Sequence, residues 1–188
     1  KRNVMKRKHC FCKGKLKQEI DFGNLPLINN YKIKKNLTKY PVVATSCEKC
    51  FLIQLKYSVS DKLLFSRDYS YLSGNSSEKI HNFKSLLVKI KKLSKKNNPK
   101  ILDIGSNDGS FLELARNEYN DVLGIEPTGT SEISINKGID TIKKPLNLTL
   151  SKKILKKYSK FDFIIATNLF AQTNNLIEII KGIKKILN

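Results

Sequence analysis

The sequence predicts an α/β fold in two parts: a small N-terminal module pinned by a metal ion, then an incomplete parallel sheet with crossover helices. Three observations predict it. Four cysteines fall in two close pairs, Cys10 with Cys12 and Cys47 with Cys50. Residues 100–109, KILDIGSNDG, read as a strand running into a glycine turn. From there to residue 166, short apolar runs alternate with amphipathic stretches, which is the pattern of parallel strands joined by helices. The expected divisions are a metal-binding, substrate-contacting module at 1–65, a connecting segment with an amphipathic helix at 66–98, and the sheet domain at 99–188.

The metal module rests on spacing. Cys47-Glu48-Lys49-Cys50 has the two-residue gap that lets both thiolates grip one Zn²⁺ while amides of the intervening turn donate to sulfur. The other ligand pair is either Cys10 with Cys12 or His9 with Cys12. Only His9-x-x-Cys12 repeats the two-residue gap, so spacing favours His9 and leaves Cys10 open. The first residues, KRNVMKRK, lack the apolar stretch of a secretory signal, and cytosolic reductants keep thiols reduced; metal is therefore preferred to disulfides. Four protein ligands leave no open position, so this zinc would staple the module and do no chemistry. Between the pairs, Asp21-Phe22-Gly23-Asn24, Leu25-Pro26 and Tyr40-Pro41 read as turns. After Cys50, FLIQLKYSV reads as one strand.

Further along, Ile80, Phe83, Leu86, Leu87 and Ile90 recur at helical spacing across 77–93, with lysines on the other face, and Pro99 ends the run that follows. Then come strand KILDI, turn GSNDG, helix SFLELARN, strand VLGIE, a helical stretch, a short strand DTI, helix LTLSKKILKKY and the apolar strand FDFIIA. Ligands of such sheets bind beyond the carboxyl ends of the strands.

Charge narrows the partners. The chain of 188 residues carries 36 Lys and Arg against 16 Asp and Glu, a formal net charge of +20, and most of the excess lies before residue 100. Lysine supplies nearly all of it; only four arginines occur, at 2, 7, 67 and 116, whereas reading of phosphates and bases favours the planar fork of Arg. A solvated lysine surface is expected, with nucleic acid disfavoured as partner. No apolar run approaches the ~20 residues of a membrane-spanning helix, so no membrane partner and a soluble, cytoplasmic protein are expected. The chain starts at Lys1 and stops within the amphipathic pattern KGIKKILN, so it reads as a piece of something longer.

Two features point to an adenosine-containing ligand. The turn Gly105-Ser106-Asn107-Asp108-Gly109 puts glycine where backbone approaches a ligand at the start of a helix. Glu126 closes the second strand, where an acid can accept from both ribose hydroxyls. The turn is neither G-x-x-x-x-G-K-[ST] nor a full G-x-G-x-x-G, because Asn107 takes the second glycine position and Asp108 adds an acid. An acid repels a pyrophosphate and suits a cation. S-adenosylmethionine, with a sulfonium, an ammonium and no phosphate, fits beside Asp103 and Asp108.

Taken in order, these segments resemble the zinc-containing, S-adenosylmethionine-dependent sugar C-methyltransferases that act on nucleotide-linked deoxysugars. The matching pieces are the first cysteine cluster, Leu25-Pro26-Leu27, Tyr40-Pro41, Cys47-x-x-Cys50-x-x-x-Gln54-Leu55, the segment FSRDYSYLSGNS from Phe65 to Ser76 with His81 following, LDIGSNDGSFL, GIEP and the strand ending Ala166-Thr167-Asn168. The resemblance implies a Rossmann-like class I methyltransferase sheet, truncated here, behind a zinc module that helps bind a nucleotide-linked sugar. It implies cofactor contacts at Asp103, Gly105, Ser106, Asn107, Asp108, Glu126, Pro127, Ala166 and Asn168. Tyr69 and Tyr71 match a tyrosine segment placed near the sugar for proton transfer, with Tyr69 slightly ahead; His81 is read as structural. The reaction implied is methylation of a carbon next to a carbonyl, through an enolate, which needs a base and a group to hold the enolate oxygen. At the family's catalytic histidine this sequence has Gln172, which forms hydrogen bonds but exchanges no proton near neutral pH. Two alternatives stand beside this enzyme: a noncatalytic relative of it, and a nucleic-acid methyltransferase that holds RNA with its zinc module and lysines.

Overall fold

The structure, a computed structural model, describes residues 4–27, 37–65 and 69–188. It divides into two compact units, Lys1–Ser66 and Arg67–Asn188.

The first unit is built on antiparallel strands. β1 (Val4–Lys6) pairs with β5 (Tyr57–Val59), while β2 (Leu16–Pro26), β3 (Lys39–Cys47) and β4 (Ile53–Leu55) form a three-stranded sheet in that order. Val43, Thr45 and Cys47 are buried and alternate with half-buried Ala44 and Ser46, so one row of β3 points inward and ends on a cysteine. The expected turn at Asp21–Asn24 is instead an irregularity inside β2: the register slips between Asp21 and Asn24, and Gly23, at φ 75°, donates to Asp21 Oδ1 at 2.8 Å. Tyr40-Pro41 is likewise strand and not turn. Pro41 faces Asn24 on β2, and β4 reaches only Ala44 to Ser46, so no β4 bond is lost at the proline. The run FLIQLKYSV is two strands. Lys56 lies between them, its N–H donating to Val43 O and its carbonyl accepting from Arg7 N, both at 2.8 Å, which hands the chain from one sheet to the other. A single turn, α1 (Asp61–Leu64), follows.

In the second unit a four-stranded parallel sheet runs β8 (Thr141–Ile142), β7 (Val122–Ile125), β6 (Ile101–Ile104), β9 (Phe163–Ile165). Strand alternation assigns its two faces. Ile101, Val122, Phe163 and Ile165 pack with α2 (Ser77–Leu93) and α3 (Ser110–Ala115), where the Phe83 and Phe111 rings meet edge to face at 5.5 Å. Leu102, Ile104, Leu123, Ile125 and Ile164 lie on the other face, with α5 (Leu148–Tyr158) and α6 (Leu176–Ile186). Helix α4 (Ser131–Asn136) links β7 to β8. The stripe expected on α2 is the buried one: Phe83, Leu87 and Ile90 are in the core, and Ile80 and Leu86 are packed against it. Ser76 caps this helix by accepting from Lys79 N.

Chain order places the site. From β6 the chain moves to β7 and β8 on one side, then returns to lay β9 on the other, so the carboxyl ends of β6 and β9 flank a topological switch point.

Candidate functional site

In the first unit the four cysteine sulfurs lie within 4.8 Å of one another. Cys10 and Cys50 are 3.6 Å apart and Cys12 and Cys47 3.4 Å, far beyond a disulfide bond and close to the ~3.8 Å edge of a tetrahedron with Zn–S arms of ~2.3 Å. Two tight turns deliver them. Cys10 N donates to Gly14 O and Lys13 N to Cys10 O; across the cluster, Phe51 N donates to Cys47 O. Amides of Cys50 and Lys49 point at the Cys47 sulfur at 3.5 and 3.3 Å, and with them the Cys47 thiol is lowered from 9.0 to about 6. Burial pushes the Cys10 thiol up. Gly14 is required by space, since a Cβ there would stand 2.6 Å from the Cys47 sulfur. These donors fit a closed zinc site with Cys10, Cys12, Cys47 and Cys50 as ligands.

The expectation favouring His9 is corrected. His9 pairs by backbone with Lys15 and is exposed; with Cys10 turned inward, its neighbour on an extended segment points outward. Spacing pointed the wrong way because the first knuckle closes through Gly14, a turn wide enough for a one-residue gap between its cysteines.

The second unit gathers the turn after β6 and the acid after β7. Gly105, Asn107 and Gly109 are left-handed at φ 78°, 53° and 76°. Gly105 N and Ser106 N both donate to Ile125 O, and Asn107 N donates to Glu126 Oε2 at 2.9 Å. Glu126 Oε1 accepts from Thr128 N at 2.8 Å, so backbone fixes both carboxylate oxygens and each keeps a lone pair for a further donor. Exposed Pro127 follows directly. Across the switch point, the position a Gly105 Cβ would take is 3.8 Å from Leu169 Cδ1, which brings the loop after β9 to the first glycine. Ala166 is half-buried at the end of β9, and Asn168 is exposed at φ 57°.

Two polar groups beneath this turn have no partner among the described residues. Asp103, 3% exposed, leaves Oδ1 unbonded, and Ser106 leaves its hydroxyl unbonded. Burial and then the charge of Glu126 raise the Asp103 carboxyl from 3.8 to about 7. An orphaned carboxylate oxygen under a left-handed glycine turn, beside a fixed acid, fits a cationic, ribose-bearing ligand.

Asp108 has partners within the protein. Its Oδ1 accepts from Ser110 N and Oγ, and its Oδ2 from Gly74 N at 2.9 Å. Asn107 bonds Ser73 N and Tyr71 O. Tyr71 is expected near the site for its phenol, and here it meets the turn through its backbone carbonyl; the backbone contacts of Ser73 and Gly74, each 34 residues away in sequence from its partner, carry no local signal. Tyr71 is 40% exposed and Tyr69 half-buried, while 66–68 of the tyrosine segment lie outside the described residues. Gln172 is exposed on the turn after β9, its N–H donating to Leu169 O. His81 is exposed on α2, away from the buried stripe. Among the described residues no helix is long and apolar enough to cross a membrane.

Comparison with known proteins agrees with both units. A family described as "Methyltransferase domain" matches residues 79–188, and one described as "Putative zinc binding domain" matches 10–65. C-methyltransferase NovU of Streptomyces niveus is 21% identical over 174 residues, which is 89% of this chain and 41% of NovU. The chain thus spans less than half the length of that relative. Similar solved structures include the plantazolicin methyltransferase BpumL with SAH, at 20% identity over 62% of this chain and 46% of that one, TM-score 0.49. Magnesium protoporphyrin IX methyltransferase of Synechocystis PCC 6803 with bound SAM is 12% identical over 58% of this chain and 54% of that one, TM-score 0.45.

Proposed function

The chain belongs to the methyltransferase-domain family, with a zinc-binding domain ahead of that domain, and on this premise we propose that it serves S-adenosylmethionine-dependent C-methylation of a nucleotide-linked keto-deoxysugar. The observation that carries the proposal is the 2.9 Å bond from Asn107 N to Glu126, which sets an acid for ribose hydroxyls directly against the glycine turn. The combination of zinc domain and methyltransferase domain, and the similarity to a C-methyltransferase along 89% of the chain, support the carbon acceptor.

In this reading Glu126 accepts from the ribose, Asp103 supplies negative charge beneath the methionine end, and Pro127, Ala166 and Asn168 line the rest of the cofactor's place. The bound cofactor supplies an electrophilic methyl group. The chain's own task is to orient that group towards the sugar carbon and to hold the proton and charge released when the carbon becomes an enolate. Tyr69 and Tyr71 are the phenols offered to take part in that proton transfer. Zinc stays structural, closed by its four thiolates. Gln172 favours a second reading, a noncatalytic relative that binds the same ligands, because an amide at that position moves no proton.

The test is transfer of a labelled methyl group from S-adenosylmethionine to a panel of nucleotide-linked keto-deoxysugars. Label in a carbon-bound methyl that survives acid and base supports the enzyme. Binding of both ligands without transfer, and without loss of deuterium from the carbon beside the carbonyl, supports the noncatalytic relative.

A further inference from the structure

The turn after β6 departs from the usual glycine-rich pattern at Asn107 and Asp108, and both side chains are buried, 8% and 4% exposed. Three of their bonds run to one short segment. Asn107 Oδ1 accepts from Ser73 N, Asn107 Nδ2 donates to Tyr71 O, and Asp108 Oδ2 accepts from Gly74 N, each at 2.9 Å. The segment is a strap containing the 3-10 turn Ser73–Asn75, immediately before the Ser76 cap of α2. Contact is tight: a Cβ on Gly74 would lie 2.6 Å from Ser110 Oγ and 2.9 Å from Asp108 Oδ2.

We propose that Asn107 and Asp108 are positioning residues that clasp the Tyr71–Ser76 strap onto the cofactor turn, so that docking of the strap and binding of S-adenosylmethionine are thermodynamically linked. The linkage rests on the cofactor reading above; the clasp does not. Asn107 holds a left-handed backbone that glycine would adopt without strain. Asparagine is chosen over glycine because one side chain both donates and accepts, and the two bonds to the strap offset that strain. The same residue's N–H holds Glu126. A ligand that seats on Glu126 and the turn fixes the backbone from which the clasp projects. By reciprocity the clasped strap must tighten the ligand by the factor with which the ligand tightens the strap. Tyr71 travels with the strap, so cofactor occupancy sets the position of a phenol offered to the substrate.

The test is amide hydrogen exchange of the protein over 69–76, with and without S-adenosylmethionine, in wild type, Asn107→Gly and Gly74→Ala. Asn107→Gly keeps the backbone and deletes both Asn107 bonds; Gly74→Ala leaves the turn's sequence intact and pries off the strap. Without ligand, Ser73 and Gly74 should exchange about fivefold faster in either variant, the factor expected for one net hydrogen bond. In wild type the ligand should slow them, and calorimetry on Gly74→Ala should show affinity reduced by up to the factor with which the ligand slows exchange in wild type. Unchanged exchange in both variants overturns the clasp. Ligand binding with unchanged exchange over 69–76, or with full affinity in Gly74→Ala, overturns the linkage and leaves a merely structural contact. Absence of any ligand binding removes the cofactor reading and the linkage together, while the ligand-free comparison still decides the clasp.

Discussion

Replacing Asp103 with asparagine probes a buried carboxyl whose Oδ1 has no partner among the described residues. Asp103 lies on β6 between Gly124 of β7 and Ile165 of β9, with Oδ1 unbonded and its carboxyl raised from 3.8 to about 7 by burial and by Glu126. A folded-state value above the unfolded one means the native protein holds a proton that the unfolded chain has released. Below about pH 4 both states are protonated and nothing is lost. Between about pH 4 and 7 stability falls as pH rises, and above about 7 the loss is complete. At ~1.4 kcal/mol per unit, the shift of about three units amounts to ~4 kcal/mol. The amide of the variant stays neutral throughout, so Asp103→Asn should gain on wild type by up to ~4 kcal/mol between about pH 4 and pH 8. Urea unfolding followed by circular dichroism at several pH values reads the difference. A gap between the two proteins that stays flat from about pH 5 to 8 would refute the reasoning. On the proposed function the same variant should bind S-adenosylmethionine more weakly, because there the charge that costs stability also faces the cation.

Other perturbations follow from individual contacts. Chelation should remove one zinc per chain and abolish the strand signal of the first unit, read by metal analysis and circular dichroism, since the four thiolates tie its two knuckles together through the metal. Gly14→Ala should weaken zinc retention in a competition assay with a chromophoric chelator, because the added methyl collides with the Cys47 sulfur. Gly109→Ala should cost ~2–4 kcal/mol in urea unfolding, from a left-handed backbone at φ 76° and a collision with Ser134 and Ile139. Asn147→Ala, which removes the acceptor for Leu150 N at the start of α5, should cost ~1 kcal/mol by the same measurement.

Period and punctuation made the second unit legible. Strands β6, β7 and β9 are short apolar runs, the first bounded by Pro99 and Gly105, and α2 shows its buried stripe in its spacing, so local pattern and tertiary burial agree. The first unit was less legible because its turn signals fall inside strands: Gly23 marks a slip in β2, and Pro41 is tolerated where β4 does not reach. At the site, Glu126 and the glycine turn were readable because strand, turn and acid have a fixed spacing. The fourth thiol and the protein partners of Asp108 were not. His9 and Cys10 differ only in which way an extended segment faces, and the partner of Asp108 lies in a strap that pattern alone does not bring near.

Calorimetric titration of the protein with S-adenosylmethionine, beside Glu126→Gln shown to be folded, addresses the central claim most directly. One site per chain, weakened at least about tenfold in the variant, is the predicted result, the factor equal to ~1.4 kcal/mol for ribose hydroxyls losing a charged acceptor. Heat absent from the folded wild type, or equal affinity in Glu126→Gln, would contradict a cofactor site built from the turn after β6 and the acid after β7.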